Sequence, residues 1–462
     1  MLSLLALGLL AGQAVSALPT ISTKGSKFFT SDGNQFFLKG VAYQLTEDDP
    51  LAQPTQCALD AALMKELGAN SIRVYHVDPT ASHDVCMKTF DDAGIYIWLD
   101  LDTFSTYIMG PGIATPVWNS TMYEAYGQVM DAFHNYDNLA GFFVGNEVLT
   151  TAENSNAAPY VKAAGRDMKS YRDSKGYRNI PIGYSAADVP SLRPMLQNYL
   201  ACGSNQSEAL DFFGLNAYEW CGDSTFEQSG YQFLQQNASD YNIPIFFSET
   251  GCQTVKPRTF GDQAAILGSD MSGTWSGAII YEWLEETNDY GLISYGTPAP
   301  ATATAGVVAG YTRSGTPIPI SPDFSNLKAQ WATLSPASVS QAAYTQTMSP
   351  VACPDYTAGA WEVSSGASLP TQGQAAQNGR VSGSASSGSS AANGQASSTG
   401  GSASSGGSGT SAGGASATSA AAAASSSASS ASTTAGRGSG MAGTMVALWA
   451  LAMGIAGVAV VL

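Results

Sequence analysis

The sequence predicts an α/β protein with a (β/α)8 TIM barrel, followed by a disordered Ser/Gly/Ala-rich tail. Short β-branched and aromatic runs alternate with helical patterns eight times, and several runs are apolar on both faces, as in covered parallel strands. A doubly wound sheet is the alternative, but the Gly-rich turn that usually follows its first strand is missing. The predicted strands are Phe36–Tyr43, Ser71–Val77, Ile95–Leu101, Ala140–Val148, Ile180–Ser185, Asp211–Tyr218, Ile243–Thr250 and Gly277–Leu284.

Amphipathic patterns between these runs predict the helices of the barrel. Leu59, Leu63 and Leu67 recur at helical spacing before the second strand, which predicts that they share one face. A second face of this kind precedes the fourth strand and consists of Met122, Tyr126, Val129 and Phe133. Strands that alternate with helices in this way are typical of the barrel.

The two ends of the chain predict export and a lipid anchor. Residues 1–17 contain a short apolar run and end in small residues, which predicts a signal peptide cleaved after Ala17. Residues 441–462 have the layout of a GPI-attachment signal, with an ordinary tail-anchor helix as the alternative. Residues 18–362 are the predicted barrel with its extension. Residues 363–440, mostly Ser, Gly and Ala, predict a disordered stalk between the barrel and the outer face of the plasma membrane or the cell wall.

Charge and cysteine content restrict the partners and the compartment. The net charge of −17 argues against nucleic acid and against anionic lipid, so the only predicted membrane contact is the lipid anchor. The histidines His76, His83 and His134 lack metal-ligand spacing and no C-x-x-C pair is present, so we expect neither a metal nor a cofactor. An even number of cysteines in an exported chain predicts three disulfides, with 15 possible pairings. The cysteines are Cys57, Cys86, Cys202, Cys221, Cys252 and Cys353.

Two glutamates follow runs that are too apolar to surround a carboxylate without a reason. Phe142–Val144 precedes Glu147 in the fourth strand, and Ile245–Phe247 precedes Glu249 in the seventh. A buried carboxylate is costly unless it is paired or functional, and catalytic side chains of a barrel lie at the carboxyl ends of its strands. For either glutamate alone, a structural carboxylate is an equally good interpretation. Together they predict a catalytic pair.

This pair suits a retaining glycosidase, which needs two carboxyl groups about 5 Å apart across the scissile bond. We assign Glu249 as the nucleophile that forms a covalent glycosyl-enzyme and Glu147 as the acid/base. The negative charge of Glu249 is expected to raise the pKa of Glu147 and keep it protonated. Once Glu249 is esterified that charge is lost, and Glu147 can act as a base.

Other residues at the strand ends predict supporting roles. Asn146 is expected to hydrogen-bond the sugar 2-hydroxyl, and Arg73 and Tyr218 are expected to keep Glu249 ionised and oriented. Aromatic faces match the apolar face of a pyranose, so three aromatic residues are expected to stack on sugar rings, with core packing as the alternative. They are Tyr75, Tyr281 and Trp283.

Six stretches of the sequence together resemble the fungal β-1,3-glucanosyltransferases of glycoside hydrolase family 72. The resemblance covers about residues 19–353. The stretches are SIRVY ending at Tyr75, GNE ending at Glu147, IPIGYSAAD over Ile180–Asp188, FFGLNAYEWC ending at Cys221, FFSETGC ending at Cys252 and YEWLEETNDYGL ending at Leu292.

The resemblance implies a (β/α)8 barrel with its acid/base at Glu147 and its nucleophile at Glu249, in agreement with the residues alone. It implies an acidic substrate-site residue after the third strand, which maps to Asp100 or, as the alternative, to Asp102. It also implies substrate-site tyrosines, which map to Tyr75, Tyr218 and Tyr281.

The resemblance further implies the disulfides Cys57–Cys86, Cys221–Cys252 and Cys202–Cys353, the last of which ties a C-terminal extension to the barrel. Since no cysteine follows Cys353, the chain resembles the branch without a cysteine-rich carbohydrate-binding module.

The implied activity is internal cleavage of a β-1,3-glucan donor and transfer of the cleaved chain to the non-reducing end of an acceptor glucan. Two alternatives stay open. One is a retaining endo-β-1,3-glucanase on the same scaffold, and the other is a non-catalytic wall-binding protein, although such a protein would usually have lost one of the two carboxylates.

Overall fold

The computed structural model of the protein describes residues 17–45, 48–110, 115–300, 303, 306–345 and 348–374. Almost all of the predicted signal peptide, most of the predicted stalk and the whole predicted anchor signal lie outside the described residues. Within these ranges no helix is both long enough and apolar enough to cross a bilayer.

Eight parallel strands close into a barrel in chain order, with the eighth strand paired to the first, so the predicted fold class is confirmed. Every strand overlaps the run predicted for it. The last strand ends at Ile280, four residues before its predicted end, and this shift matters for the site. The strands are β1 (Leu38–Ala42), β2 (Ser71–Val74), β3 (Tyr96–Asp100), β4 (Leu139–Asn146), β5 (Ile182–Ala187), β6 (Phe212–Asn216), β7 (Ile245–Thr250) and β8 (Trp275–Ile280).

Helices connect the strands, and several of their ends follow from single residues. Gly68 and Gly94 adopt left-handed φ angles of 91° and 85°, which end the first two helices. The side chain of Asn119 accepts a hydrogen bond from the backbone of Met122 and begins the third. The helices are α1 (Pro54–Leu67), α2 (Asp84–Ala93), α3 (Ser120–Phe133), α4 (Ala158–Ser174), α5 (Arg193–Ala201), α6 (Tyr231–Ala238), α7 (Gly261–Ile266) and α8 (Asp323–Thr333).

The face predicted for α3 is confirmed, because all four of its predicted apolar residues are buried. The face predicted for α1 is wrong at Leu59, which is exposed. The buried side of α1 instead carries Cys57, which is bonded to α2, and Asp60, whose carboxylate accepts hydrogen bonds from the hydroxyls of Tyr43 and Tyr295. These contacts turn the helix away from the orientation that the leucine spacing predicts.

An aromatic cluster fills the barrel interior below the strand ends. Its members, Trp98, Phe143, Phe212 and Phe246, come from β3, β4, β6 and β7. Three short antiparallel strands, Ile21–Lys24, Lys27–Thr30 and Gln35–Phe36, precede the barrel. From the second of them, Phe28 packs its ring 5.1 Å from that of Trp98 and is fully buried. The carboxyl ends of the strands therefore lie above a layer of buried aromatic side chains, which we call the aromatic floor.

The amino-terminal segment is tied to the barrel by two polar contacts. The backbone nitrogen of Leu18 donates to a carboxylate oxygen of Asp91 at 2.8 Å. The hydroxyl of Tyr96 donates to the carbonyl of Pro19 at 2.6 Å. The described chain is thus fixed in place almost from its first residue.

Three disulfides, Cys57–Cys86, Cys202–Cys353 and Cys221–Cys252, have the pairing that the family resemblance implies. Beyond Cys353 the extension continues to pack against the barrel, with Trp361 and Val363 buried. The backbone of Gly373 donates to Trp118 at 2.7 Å. The predicted end of the folded part at residue 362 is therefore too early, because composition changes before packing ends.

The close packing of β6 against β7 yields a stability prediction. A Cβ added at Gly214 would lie 2.6 Å from Oγ and 2.7 Å from Cβ of Ser248, so Gly214→Ala should cost about 1–3 kcal/mol by overpacking. The matched control is Gly273→Ala, whose added Cβ meets nothing within 4 Å. Urea denaturation measures both changes. Equal stability of the two variants would show that this contact is not restrictive.

Candidate active site

The guanidinium of Arg73 lies at the end of β2, is fully buried, and organises the site. It binds Asp100 through two hydrogen bonds, Nε to Oδ1 at 3.0 Å and Nη2 to Oδ2 at 2.7 Å. The rings of Tyr75 and Phe143 each lie 4.4 Å from its central carbon. Burial alone would lower the pKa of Arg73, but Asp100 and the other nearby groups raise it above its ordinary value, so the guanidinium is charged.

The remaining donors of Arg73 reach three more strands. Nη1 donates to Oε1 of Glu249 on β7 at 3.2 Å and to Oγ of Ser185 on β5 at 3.0 Å. Nη2 donates to Oδ1 of Asn146 on β4 at 3.0 Å. One side chain thus sets the relative positions of residues predicted separately from the sequence.

Glu249 is 1% exposed and accepts hydrogen bonds on both carboxylate oxygens. The hydroxyl of Tyr75 donates to Oε1 at 2.9 Å, and that of Tyr218 donates to Oε2 at 2.7 Å. Burial raises the pKa of Glu249 to about 7, with Arg73 opposing the rise and the charge of Glu147 adding to it. Both tyrosine hydrogen bonds lower this pKa because they stabilise the anion.

Glu147 follows β4 and is half-buried. Its φ of 49° lies in the left-handed region, where a residue with a side chain is strained by about 1–3 kcal/mol. Its backbone nitrogen donates to the carbonyl of Ser185 at 2.9 Å, and its Oε1 accepts from Nδ2 of Asn216 at 2.9 Å. Burial raises the pKa of Glu147, while Asn216 and Arg73 lower it. The rise in the pKa of Glu147 that the sequence predicts is present, but its cause is burial and not the charge of Glu249.

A polar network beneath the two glutamates was missed by the sequence reasoning. Asn216 Nδ2 donates to Asn146 as well as to Glu147, and its Oδ1 accepts from the hydroxyls of Ser185 and Ser248 at 2.9 and 2.8 Å. These three residues are polar positions within apolar strands, which is the signal that would have identified them. The charge of each glutamate is thus linked to the other through neutral hydrogen-bonding groups and Arg73.

Three tyrosine rings form a partly exposed wall beside Glu249. The ring of Tyr218 lies 6.4 Å from that of Tyr281 and 5.6 Å from that of Tyr290, and the last two lie 5.4 Å apart. Tyr290 was not predicted, because it lies in a loop well after β8. The prediction that Trp283 stacks on a sugar is wrong, since this residue is fully buried. The chain turns inward after β8 ends at Ile280.

The structure separates the two candidate acidic residues of β3. Asp100 is 2% exposed and both of its oxygens bind Arg73, so its contacts indicate a positioning role and not the predicted contact with sugar. Asp102 is also buried, and burial followed by the charge of Asp100 raises its pKa well above the usual range. Asp102 does not contact Arg73 through any described hydrogen bond.

The disulfide Cys221–Cys252 joins the loops that follow β6 and β7. Cys221 comes three residues after Tyr218, and Cys252 three residues after Glu249. The bond therefore limits how far the tyrosine hydroxyl can move from the carboxylate that it contacts.

The three histidines occupy separate environments. His83 lies 2.6 Å from a carboxylate oxygen of Asp49, whereas His134 stacks on Tyr177 with ring centroids 3.6 Å apart. The ring of His76 packs 5.3 Å from that of Phe104. Across the described ranges, no three His, Cys, Asp or Glu side chains are grouped so that they could hold a metal ion.

Comparison with known proteins identifies related sequences and folds. Protein EPD1 of Candida maltosa is 42% identical over 360 residues, which cover 76% of this chain and 61% of EPD1. The 1,3-β-glucanosyltransferase gas2 of Schizosaccharomyces pombe is 40% identical over 372 residues, which cover 77% of this chain and 76% of gas2. The chain thus spans between three fifths and about three quarters of the length of these relatives.

A solved structure of Saccharomyces cerevisiae Gas2p in complex with laminaritriose and laminaritetraose superposes with a TM-score of 0.70 and 39% identity. The superposition covers 78% of this chain and 78% of the Gas2p chain. The glucanosyltransferase family model matches residues 10–304, well over half of the sequence. The chain therefore belongs to the glucanosyltransferase family, glycoside hydrolase family 72.

Proposed function

We propose that this protein is a retaining β-1,3-glucanosyltransferase that cleaves a β-1,3-glucan chain internally and joins it to the non-reducing end of another. The observation that carries the proposal is the unequal setting of two glutamates at the ends of β4 and β7. Glu249 accepts hydrogen bonds from Arg73, Tyr75 and Tyr218, whereas Glu147 accepts one from Asn216. The names of the relatives and the laminari-oligosaccharides bound to Gas2p support the substrate class.

The contacts of Glu249 suit a nucleophile. A charged guanidinium and two hydroxyls donate to its two oxygens and stabilise its anion, which is the form that attacks. Its oxygen attacks the anomeric carbon, a covalent glycosyl-enzyme forms, and the bond to the departing glucan oxygen breaks. Glu147, whose pKa is raised by burial, gives its proton to that oxygen.

The second half of the reaction returns both groups to their starting state. With Glu249 esterified, Glu147 removes the proton of the 3-hydroxyl at the non-reducing end of an acceptor glucan. That oxygen attacks the anomeric carbon, a new β-1,3 bond forms, and Glu249 is released as a carboxylate. Asn146, held between Arg73 and Asn216, is placed to bond the sugar 2-hydroxyl.

Transfer exceeds hydrolysis only if an acceptor sugar reaches the site before water does. The half-exposed rings of Tyr218, Tyr281 and Tyr290 offer apolar faces on which a pyranose can stack and be oriented. This wall favours the transferase over the endo-β-1,3-glucanase that uses the same two carboxylates.

The same proposal includes the location of the enzyme. We infer that residues 1–17 direct export and that residues 441–462 are replaced by a GPI anchor, with the residues after the packed extension serving as a stalk. Three disulfides support an oxidising compartment. The enzyme would then act on glucan at the cell surface.

Replacement of either glutamate by glutamine tests the assigned roles. Glu147→Gln and Glu249→Gln remove the proton transfer and the nucleophile, so each should lower kcat by at least about 10²–10⁴-fold without changing the denaturation midpoint by much. Turnover of a reduced laminari-oligosaccharide is the measurement. Glu227→Gln, at an exposed loop position, is the matched control. Near-normal turnover in either test variant would remove that residue from the mechanism.

The products of the same assay separate transfer from hydrolysis. Products longer than the starting oligosaccharide require transfer, because hydrolysis only shortens a chain. If the wild-type protein forms only shorter products, the enzyme is an endo-glucanase and the transferase proposal fails.

The hydrogen bond from Tyr218 predicts a shift in pH dependence. This bond lowers the pKa of Glu249, so Tyr218→Phe should raise that pKa above its value of about 7. Less of Glu249 is then ionised at a given pH, and the acidic limb of kcat/KM should move to higher pH. Tyr290→Phe changes a neighbouring ring of the same wall and should leave the limb in place. A Tyr218→Phe limb that does not move would contradict the proposed tuning.

A further inference from the structure

The outward face of α6 carries a large apolar side chain. The helix buries Tyr231, Leu234 and Ala238 on the side that faces the barrel. On the other side, Phe233 is 57% exposed, more than any other large apolar side chain in the described part of the chain. The free energy gained by covering such a ring grows with the apolar area that is removed from water. A ligand with an apolar face would therefore bind favourably at this position.

A glycosylation sequon lies one helical turn further along the same face. Asn237, Ala238 and Ser239 form the pattern Asn-x-Ser, which accepts N-linked oligosaccharides in exported chains. Residues four positions apart share one face of a helix, with Cβ atoms about 5–6 Å apart. Because side chains of a helix tilt toward its amino end, the side chain of Asn237 lies over the turn that carries Phe233.

We propose that Asn237 carries an N-linked oligosaccharide whose first sugar, an N-acetylglucosamine, packs on the ring of Phe233. The inference rests on the export that is part of the proposed function, and it concerns a surface that takes no part in the reaction. In the attachment, Nδ2 of Asn237 loses one proton and bonds to C1 of the sugar. The bond from C1 to the oxygen of a lipid diphosphate donor breaks, and the lipid diphosphate leaves with the electron pair. The apolar face of the pyranose then matches the face of the aromatic ring.

The structure distinguishes Asn237 from the two other sequons of the chain. Asn119 is half-buried, and its side-chain oxygen caps the first turn of α3. The side chain of Asn205 donates to Glu208 at 3.0 Å and accepts from the hydroxyl of Ser207 at 2.7 Å. Asn237 is exposed, and among the described residues its side chain makes no hydrogen bond. A bulky oligosaccharide is accommodated where the asparagine side chain faces solvent in this way.

The attachment point is held in place from inside the protein. Gln197 of α5 is buried, and its Nε2 donates to the backbone carbonyl of Asn237 at 3.1 Å. The carbonyl of Gln197 in turn accepts from the hydroxyl of Tyr241 at 2.7 Å. The helices of the barrel run back along the strands, so the end of α6 lies toward the face opposite the two glutamates. An oligosaccharide at Asn237 therefore leaves the candidate active site open.

Mass spectrometry of the full chain, produced in a eukaryotic secretory host, measures the modification. An amidase that releases N-linked oligosaccharides converts each occupied asparagine to aspartate, which marks the site in its peptide. Asn237 should be marked in most molecules. Ser239→Ala removes the acceptor pattern and should abolish the mark, whereas the matched control Ser239→Thr keeps the pattern and should retain it. An exported chain in which Asn237 is unmodified would overturn the proposal.

A double-mutant cycle tests the packing of the sugar on the ring. In Asn237→Gln, which has no acceptor, Phe233→Ala should change Tm by less than about 0.5 °C, because the ring is exposed and alanine is a good helix former. In the glycosylated protein the same change should lower Tm by about 1–3 °C, the shift expected for the loss of one aromatic contact in a chain of this size. Phe233→Tyr keeps a ring and should behave as the wild-type protein does.

The matched control for the cycle is Val85→Ala. Val85 is 55% exposed on α2, a helix without a sequon, so its replacement should have the same effect in both backgrounds. If Phe233→Ala also has equal effects in both backgrounds while Asn237 is occupied, the contact between sugar and ring does not exist and the proposal fails.

Turnover of the reduced laminari-oligosaccharide, measured on the same preparations, separates this inference from the proposed activity. All variants of α6 should stay within about twofold of the wild-type kcat, since none of them lies at the glutamates. An inactive wild-type protein with an occupied Asn237 would refute the activity and leave the glycan in place. A chain that the host retains without any oligosaccharide would refute the export and the glycan together.

Discussion

A buried positive charge is the constraint from which the arrangement of the site follows. Removing a guanidinium from water costs several kcal/mol unless its donors are satisfied by well-placed acceptors. Arg73 meets this requirement with Asp100, Glu249 and Asn146, together with Ser185. Since the acceptors come from different strands, a stable barrel already has its two glutamates and their neighbours in register. The hydrogen bonds that stabilise the buried Arg73 are therefore the same bonds that position the side chains of the site.

The aromatic floor explains why these bonds are strong. Phe143 lies against the guanidinium on one side and against Trp98 and Phe246 on the other, so the charges stand on a surface that excludes water. A low dielectric strengthens each ion pair and raises the pKa of both glutamates. Arg73 and the two tyrosine hydroxyls offset part of the rise at Glu249, and Asn216 and Arg73 offset part of it at Glu147. Unequal hydrogen bonding, together with the deeper burial of Glu249, makes two identical side chains chemically different.

The barrel and the central pair of glutamates could be predicted because both follow from local pattern. Apolar runs set the strands, and a carboxylate after such a run needs an explanation. Asn216, Ser185 and Ser248 stand out as polar positions in apolar strands, but periodicity does not tell that these side chains bond one another at the barrel axis. The stacking role predicted for Trp283 is wrong because β8 ends at Ile280, earlier than predicted, and the chain beyond it places Trp283 in the core. The sequence pattern therefore locates the two glutamates, whereas the side chains that position them are found only from their contacts in the folded structure.

The contact between Leu18 and Asp91 gives the predicted leader a structural consequence. In the intact chain the nitrogen of Leu18 is a neutral amide that donates to a carboxylate. Cleavage after Ala17 would convert this nitrogen into a free ammonium group at the same place, facing the same negative charge. Processing would then strengthen the attachment of the new terminus, and the mature enzyme would hold its amino end by an ion pair that its precursor cannot form.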